Sequence, residues 1–168
     1  MDFRLAVMED LLHIKCVYKN IIEKMNREQI QIWDDIYPCE LFDADIRNNR
    51  LYVLLENDEI VSAFALCGKN SGEKFVEWQD NQCRALYLDR LGVNVNYARM
   101  GIGSLMLKIA KETAKNLGAE YLRLFVVDIN EPAIRLYVKN GFMKRSGVYD
   151  EVIDDDLILH EFGFEAAL

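Results

Sequence analysis

The chain has 168 residues, of which 51% are hydrophobic and 29% charged, the make-up of an ordinary globular protein with one sizeable core. Twenty Lys and Arg stand against 28 Asp and Glu, and the formal net charge of −8 argues against nucleic acid as a partner, because phosphate binding needs a net basic face. No apolar run approaches the ~20 residues that span a bilayer, and Met1-Asp-Phe-Arg lacks the basic and then apolar pattern of a signal peptide, so no membrane is expected.

Taken in order, Phe3 to Val7 alternates and predicts a first strand. From Glu9 to Met25, Leu12, Cys16, Tyr18, Ile21, Ile22 and Met25 form a broad apolar stripe, which predicts a long helix. The pattern weakens over Arg27 to Tyr37, where Trp33-Asp34-Asp35-Ile36-Tyr37-Pro38 reads as a loop. Cys39 to Asn48 suits a short second helix. Leu51 to Leu55 and Ile60 to Cys67 read as strands joined by Glu56-Asn57-Asp58-Glu59, a tight hairpin by composition. Gly68 to Gln82 is polar, carries Trp78, and reads as a long loop of the kind that tends to be functional or mobile.

Ala85 to Val95 is apolar and rich in Leu, Val and Tyr, the signature of a buried strand. Turn chemistry at Asn94 to Tyr97 and the glycines Gly101 and Gly103 then lead into a helix. Ile102, Leu105, Met106, Ile109, Ala110, Thr113 and Leu117 give that helix one apolar face, and Gly118 stands at its stop. Strand, glycine loop and helix start make an anion site, since glycines allow close approach and unpaired N–H groups point at the guest. The spacing is neither Gly-x-Gly-x-x-Gly nor a P-loop, so a helix that merely begins with two glycines stays open. Tyr121 to Val127 predicts a strand, Glu131 to Asn140 a short helix, and Met143 to Tyr149 and Leu157 to Phe162 two closing strands. The acidic run Asp154-Asp155-Asp156 between them reads as a solvated turn.

Two stretches together resemble the GNAT superfamily of acyl-CoA-dependent N-acetyltransferases. The later one matches Asn-x-x-Ala-x-x-x-Tyr-x-x-x-Gly-Phe at every fixed position, through Asn130, Ala133, Tyr137, Gly141 and Phe142. The earlier one follows Gln/Arg-x-x-Gly-x-Gly/Ala with one departure: Ala98 occupies the Gln/Arg position and Arg99 comes one place later. The resemblance implies a single α/β (α+β) domain over residues 1–168. Its mixed, mostly antiparallel sheet would be flanked by helices in the order β-α-α-β-β-β-α-β-α-β-β. It further implies acetyl-CoA as co-substrate, with the pyrophosphate on Arg99, Met100, Gly101, Ile102, Gly103 and Ser104. The pantetheine arm would lie along Leu91, Gly92 and Val93, with Asn130, Ala133 and Tyr137 completing the donor site.

Acyl transfer to an amine needs a base, a donor to the developing oxyanion and an acid for the departing thiolate. The resemblance places Tyr137 on the general acid; a tyrosine that only packs under the cofactor is the alternative. Family members often carry a side-chain base at the positions of Tyr87 or Asp89, and strand alternation sets Tyr87, Asp89, Leu91 and Val93 on one face. Asp89 is therefore the candidate base, directly or through water, against an ordinary strand-edge Asp paired with Arg90 or Arg84. The loop between the first two helices walls the acceptor site in the family, so Trp33 and Asp34, together with Tyr87 and Trp78, are candidate acceptor contacts. Packing of Trp33 and Tyr37 against the core is the alternative.

His13 and His160 lie far from the motif and read as packing or surface residues. Cys16, Cys39, Cys67 and Cys83 are widely spaced with no His to complete a metal set; reduced, mostly buried thiols of a cytoplasmic protein are expected, and no metal. The expected partner is a small-molecule amine. A peptide N-terminus as acceptor, a non-catalytic acyl-CoA sensor, and a homodimer stay open.

Overall fold

The computed structural model describes residues Met1–Leu168 and contains no helix long and apolar enough to cross a membrane. Its elements in chain order are β1 (Asp2–Leu5), α1 (Leu11–Arg27), α2 (Phe42–Arg47), β2 (Leu51–Glu56), β3 (Glu59–Cys67), β4 (Val76–Glu77), β5 (Ala85–Val93), α3 (Ile102–Asn116), β6 (Tyr121–Val127), α4 (Glu131–Lys139), β7 (Met143–Val152) and β8 (Ile158–Ala167). This is a mixed α/β fold with eight mostly antiparallel strands. The expected order holds, with one addition: the 68–82 segment carries the two-residue β4 inside its loop. The chain divides into two compact units, Met1–Leu66 with Arg90–Met106, and Cys67–Asp89 with Leu107–Leu168.

In the first unit β1 pairs antiparallel with β2, and β2 with β3. The β2–β3 turn is as tight as its composition implied. Asn57 and Asp58 both take positive φ, 49° and 65°, as a two-residue hairpin turn of matching twist requires. The far half of β5 lies along β3, fixed by Asn94 N–H donating to Val61 O (2.9 Å) and Ser62 Oγ donating to Gly92 O (2.6 Å). α1 begins at Leu11, after a 3-10 turn at Met8–Asp10, and buries Ile14, Tyr18, Ile21 and Ile22. Leu12, assigned above to the buried stripe, is 75% exposed. A stripe centred on Tyr18 takes in Ile14 one turn earlier, and Leu12 points elsewhere. Phe42 meets Tyr18 edge to face with ring centroids 4.6 Å apart, a geometry aromatic quadrupoles favour.

In the second unit the near half of β5 runs parallel to β6, β6 pairs antiparallel with β8 over seven residue pairs, and β8 pairs with β7. β4 adds to β7 at Val76↔Gly147 and Glu77↔Ser146. Gly147 is required there: its φ is +107°, and a Cβ would lie 2.2 Å from Phe75 O. The fully buried Leu107, Leu122, Leu124 and Phe164 form the core of this unit. α3 stops at Gly118 as predicted, φ +86°, with its N–H on Lys115 O. Asn130 caps α4 by accepting from Ala133 N–H (3.3 Å), with Pro132 in the first turn.

Candidate active site

The first unit holds the predicted phosphate loop. After a 3-10 turn at Val95–Tyr97, the backbone passes through left-handed conformations at Arg99 (φ 64°) and Gly101 (φ 78°) and enters α3 at Ile102. The first intrahelical bond runs from Leu105 N–H to Gly101 O (3.1 Å). Amides of Ile102, Gly103 and Ser104 therefore belong to the helix's first turn, where intrahelical acceptors are lacking and the dipole is positive. An ideal Cβ at Gly101 would meet nothing within 4 Å, so the surface over this loop is open. Arg99 and Met100 are exposed beside it. The arrangement can hold an oxyanion on backbone N–H groups with an arginine adjacent, as the motif implied.

β5 upstream of the loop departs from simple alternation. Arg90 has φ 55°, so the face shared by Tyr87 and Asp89 cannot be continued to Leu91 and Val93 by counting in twos. The kink is locked from several sides within the first unit. Arg90 Nε bonds the fully buried Asp45 (2.8 Å), which also takes Arg50 Nε (2.6 Å). The Tyr18 hydroxyl donates to Arg90 O, and a Cβ at Gly92 would sit 2.7 Å from the Tyr18 ring. Gly92 is therefore a packing requirement of this strand.

In the same unit Trp33 is half-buried and stacks on Tyr18 with ring centroids 5.6 Å apart. Asp34 is exposed, and its Oδ1 accepts from Ile36 N–H (2.8 Å) and Tyr37 N–H (2.7 Å), so this carboxylate shapes its own loop.

The second unit holds the remaining candidates. Asp89 accepts from Asn70 Nδ2 at 3.4 Å. Of the two arginines considered beside it, Arg90 bonds Asp45 through Nε (2.8 Å), and Arg84 bonds Glu120 through its backbone N–H (2.9 Å). Tyr137 on α4 is half-buried, with its ring against Phe142 and Phe164 at centroid distances of 6.0 and 6.4 Å. Burial, and then the negative charge of Asp89, push its phenol up to about 12. The structure thus couples the two candidate catalytic groups electrically, and Tyr137 holds its proton at any physiological pH.

A third group at this place escaped the sequence. Glu161, on β8, is pushed up to about 9 by burial, by its hydrogen bond to the Glu151 carboxyl and by the charge of Asp89. Its strand carries no motif, and only the β7–β8 register brings it beside Glu151 and Tyr149.

Trp78 and Tyr87 meet as well. Both are buried, edge to face at 6.1 Å, on a cavity of about 350 Å³. Trp78 therefore anchors the inside of its loop: its Nε1 donates to Glu73 O (2.8 Å), and the Arg123 guanidinium stacks on its ring at 4.5 Å. His13 is exposed, and His160 is an exposed partner of Asp150, in keeping with surface roles. All four cysteines are free thiols, and of the four only Cys67 is buried, fewer than expected.

A left-handed loop opens α3 after the kinked β5, and the Asn-capped α4 carries the half-buried Tyr137. The family model described as Acetyltransferase (GNAT) family matches residues 18–142, and the chain belongs to that family. A Bacillus subtilis (strain 168) protein named "Putative phosphinothricin acetyltransferase YwnH" is 26% identical over 152 residues, 84% of this chain and 83% of that one. Among solved structures, a GNAT-family acetyltransferase from Listeria monocytogenes superposes with a TM-score of 0.76 at 16% identity, over 99% of this chain and 94% of that one. The structure described as "yncA, a putative ACETYLTRANSFERASE from Salmonella typhimurium with its cofactor Acetyl-CoA" gives 0.68 at 16% identity, over 99% and 93%.

Proposed function

We propose that the protein moves an acetyl group from acetyl-CoA to the primary amine of a small molecule by direct attack within a ternary complex. Family membership supports acyl transfer, and the YwnH likeness, though distant, favours a small acceptor. The observation that supports the mechanism is that Tyr137 is a phenol kept protonated, first by burial and then by the negative charge of Asp89.

An alkylammonium has no lone pair, so one proton must leave before attack. Asp89 takes it, directly or through water; burial and the Glu151 carboxyl raise the pKa of Glu161 and favour its protonated form. The amine nitrogen then bonds to the thioester carbonyl carbon, and the oxygen takes the negative charge, with β5 backbone amides at Leu91–Val93 as the candidate donors. Collapse breaks the C–S bond. The thiolate receives the Tyr137 proton, and the phenolate regains one as the amide nitrogen loses its second proton. The Arg99–Ser104 loop holds the pyrophosphate on backbone N–H groups throughout. Trp33 and Asp34 remain candidate acceptor contacts.

Initial velocities measured over a grid of acetyl-CoA and amine concentrations test the direct route. Lines that intersect in double-reciprocal plots are expected. Parallel lines would indicate an acetyl-enzyme and overturn this mechanism.

A further inference from the structure

Two peptide planes at the kink of β5 are each gripped at the carbonyl by a buried hydroxyl. Tyr18, on α1, is fully buried; its hydroxyl reaches Arg90 O, with Ala63 O on β3 the more distant neighbour at 3.1 Å. Ser62, on β3, is fully buried too, and its Oγ donates to Gly92 O (2.6 Å). A carbonyl can only accept, so in both bonds the hydroxyl is the donor. Burial pushes the Tyr18 phenol well above the ordinary tyrosine range, which keeps its hydrogen in place at any working pH.

Both peptides are trans, and a trans peptide is planar with its C=O and N–H pointing in opposite directions. The plane that carries Arg90 O also carries the N–H of Leu91. The plane that carries Gly92 O carries the N–H of Val93. A hydroxyl on each oxygen therefore aims the amide at the other end, away from Tyr18 in one case and away from Ser62 in the other. It also polarises the peptide, which strengthens the N–H as a donor by about 10–30%. Neighbouring bonds hold the planes from either side. Upstream, Arg90 Nε is tied to the fully buried Asp45 (2.8 Å). Downstream, Asn94 donates through its backbone N–H to Val61 O (2.9 Å) and through Nδ2 to Ile60 O (2.9 Å). Arg90 itself sits at φ 55°, a costly state for a residue other than glycine, which persists where its surroundings impose it.

We propose that Tyr18 and Ser62 are positioning residues for acyl transfer: through the Arg90 and Gly92 carbonyls they aim and polarise the Leu91 and Val93 amides that receive the thioester oxygen. Neither hydroxyl touches the substrate. The inference rests on the acetyl-transfer reading above, and it deepens that reading by naming what supports each donor.

Tyr18→Phe and Ser62→Ala each remove one hydroxyl, and the thioester carbonyl reports the result without any acceptor present. Its infrared stretch, picked out by an isotope label on the acetyl carbonyl, falls when the oxygen accepts hydrogen bonds. Acetyl-CoA bound to the wild type is expected to absorb below free acetyl-CoA, and each variant should move the band back towards the free value. With an amine present, kcat should fall by about tenfold or more, part of the ~10²–10³ lost with a whole oxyanion donor. CoA has no acetyl carbonyl, so its affinity by calorimetry should stay within about twofold of wild type. Ser62→Ala is the smaller change and carries the test by itself if Tyr18→Phe does not fold. A wild-type band at the free value, or variants whose band and kcat both match wild type, would overturn the proposal. So would a fall in kcat matched by an equal loss of CoA affinity with the band unmoved, the mark of plain structural damage. A band that moves as expected in a protein that acetylates no amine would leave the positioning role standing and remove the acetyl-transfer reading.

Discussion

Tyr137→Phe removes one oxygen from the half-buried ring and separates proton donation from packing. The ring's contacts with Phe142 and Phe164 are apolar and survive the change. The backbone of residue 137 still accepts from Phe142 N–H (3.0 Å), so the end of α4 is undisturbed. Thermal stability and affinity for CoA should therefore barely move. Chemistry should respond strongly: loss of a general acid costs about 10²–10⁴ in rate, or about 3–5 kcal/mol of barrier. The wild-type phenol at about 12 is a neutral donor throughout the working range, so kcat should show no alkaline fall from this group until near 12. Thiol release under saturating acetyl-CoA and amine, with solvent viscosity varied to confirm that chemistry limits the rate, reads the effect. Loss of kcat/KM in step with kcat would mark an interaction made only in the transition state. A variant keeping more than half its kcat would refute the acid role and leave Tyr137 as a packing residue.

Gly103→Val sets a branched side chain in the first turn of α3 and should weaken CoA binding strongly while the fold survives; calorimetry showing unchanged affinity would move the phosphate site elsewhere. Asp34→Asn combined with Asp35→Asn should raise acceptor KM about 2- to 5-fold without altering CoA affinity, if the Trp33 loop attracts a cation; unaltered acceptor kinetics would remove this loop from the acceptor site. Glu161 has its pKa raised from 4.5 to about 9 on folding, so the folded state binds more protons than the unfolded one between those values and stability falls as pH rises through them. Glu161→Gln removes that loss and should stabilise the protein at pH 7 by at least about 1 kcal/mol in urea unfolding, against little change near pH 4; a variant less stable than wild type at pH 7 would contradict the burial of this carboxyl.

Local signals carried the parts of the fold that local rules govern. Left-handed Gly101, the Gly118 stop, the Asn130 cap and the Asn57-Asp58 turn each follow from the backbone freedom or side-chain chemistry of one or two residues. The motif from Asn130 to Phe142 brought Tyr137 into view for the same reason, since its spacing lies within one helix and its exit. Long-range register was not legible. Glu161 meets Glu151 because β7 and β8 pair as they do, and neither residue is marked in the chain. Arg123 and Glu165 likewise meet only through the β6–β8 ladder. The Arg90 kink has no glycine or proline to announce it; it is held by Asp45 and Tyr18, distant in sequence. Trp78 lies in a polar loop stretch, and its burial against Arg123, Tyr87 and Phe125 comes from strands distant in sequence.

The central claim is acetyl transfer from acetyl-CoA to a small amine, and incubation with acetyl-CoA labelled in the acetyl group tests it most directly. The acceptors would be a panel of small amines and N-terminal peptides, followed by mass spectrometry with thiol release counted in parallel. The account predicts a labelled N-acetyl small molecule formed in equal number with free CoA, and little product on the peptides. Acetyl-CoA that binds yet is never turned over, or label that appears only on peptide N-termini, would contradict it.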